Sequence, residues 1–166
     1  MNLQHFNALP HEAALAELIR CCGSTRWAAQ VIAARPFASA EALETVCEEA
    51  WAMMREADWL EAFRHHPKIG DIDSLRAKFA STAAWAAQEQ AGSQGATEET
   101  LQALKRGNEA YERKFGYIFI ICATGKSAPE MLAALERRLA NEPAAELPLA
   151  AEEQKKITRL RLEKAT

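Results

Sequence analysis

The sequence is poor in valine and isoleucine, in long apolar runs and in basic blocks, which β-sheets, membrane spans and nucleic-acid surfaces respectively require. Only 7 of its 166 residues are glycine, and its hydrophobic fraction of 49% comes more from alanine than from valine and isoleucine. That balance favours helices over strands. The formal net charge is −3 and no basic block occurs, so we expect no nucleic-acid partner. The longest apolar run, residues 117–123 (YIFIICA), is far too short to cross a bilayer.

Targeting signals and metal-binding spacings are also missing. The first residues, MNLQHFNALPHE, lack the basic start and apolar core of a signal peptide, and the last four are EKAT rather than a peroxisomal Ser-Lys-Leu address. The four cysteines show neither a CxxC spacing nor a disulfide framework, so we expect a reduced, cytoplasmic protein. The four histidines show no ligand spacing and no HExxH occurs, so no metal site is expected.

What the sequence does contain is a succession of helix boundaries. Ser24, Ser39 and Thr97 each precede apolar residues at helical spacing, as N-cap residues do, and Ser127 with Glu130 forms a capping box. Further helices are predicted to start near Pro10, at an Asp58–Glu61 capping box, at Thr82 and after Pro143.

Only residues 117–122 have the composition of a strand. A lone strand has no partner to pair with, so this run is predicted to be a buried extended or helical connector. A chain of this length suits one domain with a real core. The sequence therefore predicts an all-α bundle of about seven to nine helices, with residues 1–166 forming a single domain.

The stretch FRHHPKIGD, residues 63–71, places two histidines before a proline. Such a pair is most often a solvated or structural helix end. At about 100° per residue, however, Trp59, Phe63 and His66 share one face of their helix, whereas His65 points away from it. The spacing therefore predicts that His66 is the inward-facing histidine.

Two charged residues also fall on apolar helix faces. Glu89 lies four residues after Trp85, and Arg161 lies four residues after Ile157. An unpaired buried charge is costly, so each needs a partner or a ligand. Two interpretations stay open at this point: a structural Glu–Arg pair or wet helix ends, and an acid–base site with an anion clamp to which His66 also contributes.

Five fragments occur in an order that closely resembles one enzyme family. They are HHPKIGD (65–71), EQAG (89–92), YERKFGYIFIICATG (111–125), LERRLAN (135–141) and ITRLRL (157–162). The family is 2-oxo-4-hydroxy-4-carboxy-5-ureidoimidazoline (OHCU) decarboxylase, an all-α enzyme of urate degradation. The resemblance implies a homodimer that converts OHCU to (S)-allantoin and carbon dioxide without a cofactor.

The resemblance also implies roles at matching positions. His66 matches the catalytic histidine, Glu89 is expected to orient it, and Arg161 is expected to stabilise developing charge. The substrate-binding positions are matched by Pro67, Ala86, Gln90, Phe119, Ile120, Ile121, Cys122 and Ala123. Ala86 departs from the family, which usually has serine there; the lost hydroxyl removes one hydrogen bond, worth about 0.5–1.5 kcal/mol.

Two alternatives to this activity remain. A non-catalytic helical binding or scaffold module is possible on fold grounds, but it would not need His66, Glu89 and Arg161 in one cavity. A hydrolase acting on 5-hydroxyisourate would belong to the same degradation route. That enzyme is a transthyretin-like β protein, which a helical chain would exclude.

Overall fold

The protein is mainly helical in the residues that the computed structural model describes, which are 3–66, 73 and 97–165. Within these ranges there are eight helices and no strand. The helices are α1 Leu3–Ala8, α2 His11–Cys21, α3 Thr25–Ala33, α4 Ala40–Ala52, α5 Glu56–Arg64, α6 Glu98–Phe115, α7 Ala128–Leu139 and α8 Pro143–Ala165. The predicted all-α architecture is confirmed.

The chain divides into two compact units. One comprises residues 1–66 together with 151–166, and the other comprises residues 67–150. None of the described helices combines the length and the apolarity that a membrane-spanning segment needs.

Helix starts follow the predicted caps at four places. The side-chain oxygens of Ser24, Ser39 and Thr97 each accept a hydrogen bond from a backbone N–H three residues later. Ser127 and Glu130 form the predicted reciprocal capping box at the start of α7. Each cap satisfies an N–H group that the first turn of a helix leaves without a partner, which is why these residue types mark the boundaries.

The start of α5 differs from the prediction. The helix begins at Glu56, and Asp58 occupies its third position, where the carboxylate accepts a hydrogen bond from the Arg55 N–H at 2.8 Å. Asp58 therefore supplies the reciprocal half of a capping box rather than the N-cap itself. Glu61 instead reaches the start of α3, where its carboxylate accepts from the N–H of Thr25 at 3.1 Å.

The core of the first unit is built around Trp27, which is fully buried and donates from Nε1 to the Cys47 carbonyl at 3.2 Å. Around it are buried Phe6, Leu18, Val31, Ile32, Phe37, Leu43, Trp51 and Phe63. Gly23, between α2 and α3, touches the end of α5: a Cβ added there would lie 2.3 Å from the Cβ of His65. A glycine is required at this close approach.

The core of the second unit lies between α6 and α7. Its buried members are Leu101, Leu104, Tyr111, Ala128, Met131 and Leu135. The predicted connector runs out of α6 after Gly116, which takes the left-handed conformation that ends many helices. Residues 117–123 form neither helix nor strand, and Ile120 is the buried residue among them. As predicted, this apolar run is a connector, but most of its residues are partly exposed rather than buried.

Candidate active site

His66 lies just past the C-terminal end of α5, and its ring is tied to the last helix. The backbone N–H donates to the Phe63 carbonyl at 3.2 Å, which continues the last turn of α5. The ring atom Nε2 lies 2.5 Å from Oε1 of Gln154 on α8, within the same unit. The predicted inward orientation of His66 agrees with this contact, because the side chain of Gln154 is fully buried.

Gln154 is itself held by Thr158, one helical turn further along α8. The amide nitrogen of Gln154 donates to Oγ1 of Thr158 at 3.2 Å, and this hydroxyl donates to the Gln154 carbonyl at 3.0 Å. Sequence reasoning missed both residues. Positions 154, 158 and 161 follow one stripe of a helix, so the periodicity that identified Arg161 could also have found Gln154 and Thr158.

The surroundings of His66 favour its neutral form. Burial lowers the pKa of His66 below its ordinary 6.5, and the positive charges of Arg161 and His65 lower it further. The hydrogen bond with Gln154 acts in the opposite direction, because an acceptor stabilises the protonated ring. Burial has the largest effect, so at neutral pH the ring is an uncharged base.

Arg161 finds main-chain partners rather than a carboxylate. Its Nη1 donates to the carbonyls of Arg20 and Cys21, at 3.3 Å in each case. These carbonyls belong to the last turn of α2, where a helix carries partial negative charge and leaves acceptors open. The half-buried guanidinium is thereby anchored by one nitrogen, and its positive charge lowers the pKa of His66.

The cysteines near this site are poor nucleophiles. Burial raises the pKa of the Cys21 thiol to about 11 and that of Cys47 to about 12, and it raises the pKa of Cys22 as well. The thiolate is the reactive form of cysteine, so these three side chains act as packing groups. His66 is therefore a better acid–base candidate than any of these three thiols.

In the second unit, a buried polar network holds the segment that the resemblance assigns to substrate binding. Arg138 donates from Nη1 to the Ile120 carbonyl at 2.6 Å and from Nε to Oε1 of Glu146 at 2.6 Å. Its guanidinium also lies 4.6 Å from the ring centroid of Phe119. The hydroxyl of Tyr111 donates to the same Glu146 oxygen at 2.5 Å. This network fixes the course of residues 119–120.

The other oxygen of Glu146 is also satisfied. The Asn141 amide donates to Oε2 at 2.8 Å, so the fully buried carboxylate has partners on both oxygens. Arg138 and Asn141 both belong to the LERRLAN fragment, for which the sequence suggested no role. The structure shows that this fragment supplies the partners of Glu146.

The candidate residues fall into three groups. His66 and Arg161 come together in the first unit. Phe119, Ile120, Ile121, Cys122 and Ala123 form the connector of the second unit. Pro67, Ala86, Glu89 and Gln90 lie outside the described residues, so their assignments stay predictions. In the described part of the chain, no group of three or more histidine, cysteine or acidic side chains is placed to hold a metal ion.

Known proteins match the chain over most of its length. A family model described as OHCU decarboxylase matches residues 7–163. The chain belongs to the OHCU decarboxylase family. It is 32% identical over 168 residues to the 2-oxo-4-hydroxy-4-carboxy-5-ureidoimidazoline decarboxylase of Amia calva, covering 98% of this chain and 93% of that protein. The resemblance seen in the five sequence fragments is confirmed.

A second relative of the OHCU decarboxylase family is considerably longer. The chain is 42% identical over 147 residues to the uric acid degradation bifunctional protein TTL of Arabidopsis thaliana. The match covers 87% of this chain but 44% of that protein, so the chain spans less than half of it.

Solved structures agree with membership of the OHCU decarboxylase family. A crystal structure of OHCU decarboxylase in the presence of (S)-allantoin matches with a TM-score of 0.71 and 39% identity, covering 90% of this chain and 96% of that one. A crystal structure of (S)-allantoin synthase matches with a TM-score of 0.69 at 19% identity, covering 99% of this chain and 54% of that one, and shows the shared fold. The transthyretin-like β alternative does not fit a helical member of this family.

Proposed function

We propose that this protein is a carboxy-lyase that converts OHCU to (S)-allantoin and carbon dioxide without a metal or an organic cofactor. Family membership supports the reaction, as does the 39% identical structure of an OHCU decarboxylase in the presence of (S)-allantoin. The observation that carries the proposal is His66. Its imidazole is kept neutral by burial, is held by a hydrogen bond to Gln154, and lies within reach of the charge of Arg161.

The chemistry needs no external electron acceptor. When the bond between the carboxylate and the ring carbon breaks, carbon dioxide leaves and the electron pair moves into the neighbouring ring imine, whose nitrogen takes up a proton. The hydroxyl on the reacting carbon then loses its proton as a carbonyl forms, and the ureido-bearing carbon gains one. The net reaction consumes one proton for each carboxylate lost. The protein has to position the substrate, move protons and direct the last proton to one face.

His66 is suited to the proton transfers. A general base must be unprotonated at the operating pH and must hold its lone pair in a fixed direction. Burial secures the first condition, and the contact with Gln154 secures the second. In this proposal His66 removes the hydroxyl proton and returns a proton to the ureido-bearing carbon, while the negative charge of Glu89 supports the protonated form of the ring.

Arg161 acts in this proposal on charge that develops during the reaction. Clamping the departing carboxylate would stabilise the ground state, where its negative charge is greatest, and would oppose decarboxylation. Directed at the ring or ureido oxygens, the guanidinium would instead stabilise the charge that grows as the bond breaks. Anchoring of Nη1 on the carbonyls of Arg20 and Cys21 supports this role, because it fixes the planar fork before the substrate arrives.

The remaining parts of the proposal concern the substrate pocket and the assembly. Residues 119–123, together with Pro67, Ala86 and Gln90, contact the substrate. The protein acts as a homodimer in the cytoplasm. Reduced, buried thiols at Cys21, Cys22 and Cys47 are compatible with a reducing compartment.

The decisive experiment supplies freshly made OHCU to protein that has been dialysed against a chelator. Carbon dioxide release and the circular dichroism of the product are followed together, since they report turnover and handedness separately. We expect stoichiometric carbon dioxide and a single enantiomer, (S)-allantoin. Release at the spontaneous rate, with a racemic product, would refute the proposed activity and favour a binding module. Activity that returns only with an added divalent ion would refute the cofactor-free mechanism.

The matched variants are His66→Ala and His65→Ala, two adjacent histidines with different surroundings. His66→Ala should lower kcat by about 10²–10⁴-fold, the usual contribution of a positioned acid–base group. His65→Ala should stay close to the unmodified protein, because the His65 side chain is exposed. Equal losses in both variants, at matched helical content, would count against His66 as the acid–base residue.

A further inference from the structure

The hydroxyl of Thr158 determines which way the amide of Gln154 points. A threonine hydroxyl has one proton, and Oγ1 of Thr158 lies 3.0 Å from the Gln154 carbonyl, which can only accept. With its proton used there, Oγ1 has only lone pairs left for the Gln154 side chain at 3.2 Å. The group that meets Thr158 must therefore be the NH₂ of the amide, and the amide oxygen faces His66.

We infer that Gln154, oriented by Thr158, is a positioning residue that holds His66 in the Nε2–H tautomer and leaves Nδ1 as the nitrogen that exchanges protons with the substrate. The amide oxygen of Gln154 is an acceptor and lies 2.5 Å from Nε2, so Nε2 must carry a proton. In the neutral ring the other nitrogen then bears the lone pair. This inference rests on the proposed function, because it assigns the reacting atom of the same histidine.

The contact also persists when the ring takes up a proton. Both nitrogens of an imidazolium are donors, so Nε2 can keep donating to Gln154 while Nδ1 gains and loses the transferred proton. Proton transfer at Nδ1 therefore requires no rearrangement of the buried Gln154–Thr158 pair. The charges that face this ring from the packed elements are Arg161 on α8 and His65 at the end of α5, and both oppose protonation.

The tautomer can be measured without any substrate. The chain has four histidines, so the ring nitrogens of protein labelled with ¹⁵N can be assigned by long-range ¹H–¹⁵N correlation, with His66→Asn identifying the His66 signals. Above the pKa of His66, we expect a protonated, pyrrole-like Nε2 and an unprotonated, pyridine-like Nδ1. A protonated Nδ1 in the unmodified protein would overturn the inference, whatever the activity.

Variants at position 154 connect the tautomer to turnover. Gln154→Leu removes the acceptor; we expect mixed tautomers and a kcat lowered about tenfold with little change in KM, as the net contribution of one hydrogen bond implies. Gln154→Glu keeps an acceptor and adds charge; we expect the Nε2–H tautomer to remain and the acid limb of the pH–rate profile to move to higher pH. Glu152→Gln, on the exposed face of α8, is the matched control and should change neither.

The outcomes distinguish a wrong role for Gln154 from a wrong proposed function. An unmoved acid limb in Gln154→Glu, or an unchanged tautomer in Gln154→Leu, would reduce Gln154 to a packing residue and overturn the inference. If Gln154→Leu does not fold, the tautomer of the unmodified protein and the pH–rate profile of Gln154→Glu still test the inference. An Nε2–H tautomer in a protein that does not decarboxylate OHCU would leave the geometry of His66 correct and show that the proposed function is wrong.

Discussion

Replacing Arg138 with methionine should destabilise the protein by about 3–5 kcal/mol, the range measured when one partner of a buried ion pair is removed. The side chain of Arg138 is 12% exposed and that of Glu146 is 0% exposed, so the carboxylate has no access to solvent that could replace its partner. The substitution also leaves the Ile120 carbonyl without its donor at 2.6 Å. Methionine preserves much of the aliphatic volume, so the loss reports the charge and the hydrogen bonds rather than a cavity.

The loss can be measured by urea unfolding followed by far-UV circular dichroism, with linear extrapolation to water. Arg137→Met is the matched control, because Arg137 is adjacent in sequence but exposed, and it should change stability by less than about 0.5 kcal/mol. Arg138→Met combined with Glu146→Leu should recover much of the loss, since a buried pair can be replaced by apolar residues at little cost. A loss below about 1 kcal/mol in Arg138→Met would show that the network does not hold the connector.

Three further changes test other parts of the structure. Arg161→Lys should lower kcat more than it raises KM, because a point charge cannot replace the planar fork; a raised KM with kcat unchanged would refute the proposed role. Gly23→Ala should lower the melting temperature, since the new Cβ would lie 2.3 Å from the Cβ of His65, and an unaltered melting temperature would contradict that close approach. The pKa of His66 is lower in the folded protein than in the unfolded chain, so the unfolded chain binds more protons in mildly acid solution. The contribution of His66 to the free energy of unfolding should therefore be constant above about pH 6.5 and should decrease as the pH falls below that value. The difference in unfolding free energy between the unmodified protein and His66→Gln should show this dependence on pH; a difference independent of pH would contradict it.

Helix boundaries were the part of the fold that sequence reasoning recovered best, because capping is a local interaction. Ser24, Ser39 and Thr97 each satisfy an N–H three residues away, and that requirement can be recognised without knowing the rest of the fold. The same locality explains the error at Asp58. A carboxylate serves equally well at the N-cap and at the third helical position, so spacing alone left the start of α5 undetermined. Helix α1 was missed because it is short and no start signal precedes it.

The candidate site was only partly accessible from the sequence. His66 and Arg161 could be found because a charged or titratable group on an apolar face is costly and therefore conspicuous. Gln154 carries no charge, so its sequence position did not mark it as a candidate. Its side chain is fully buried, and the orientation of its amide affects His66. The Arg138–Glu146 pair joins two helices across a turn, and no periodic pattern within a single helix reveals such a contact.

The distribution of thiols gives the protein a natural chemical label. Cys21, Cys22 and Cys47 are buried, and their raised pKa values make them slow towards alkylating reagents. Cys122 is half-buried and lies in the connector that is predicted to contact the substrate. In the native protein, a thiol reagent should therefore modify Cys122 first, and its rate of modification can report occupancy of the pocket by a ligand without any engineered cysteine.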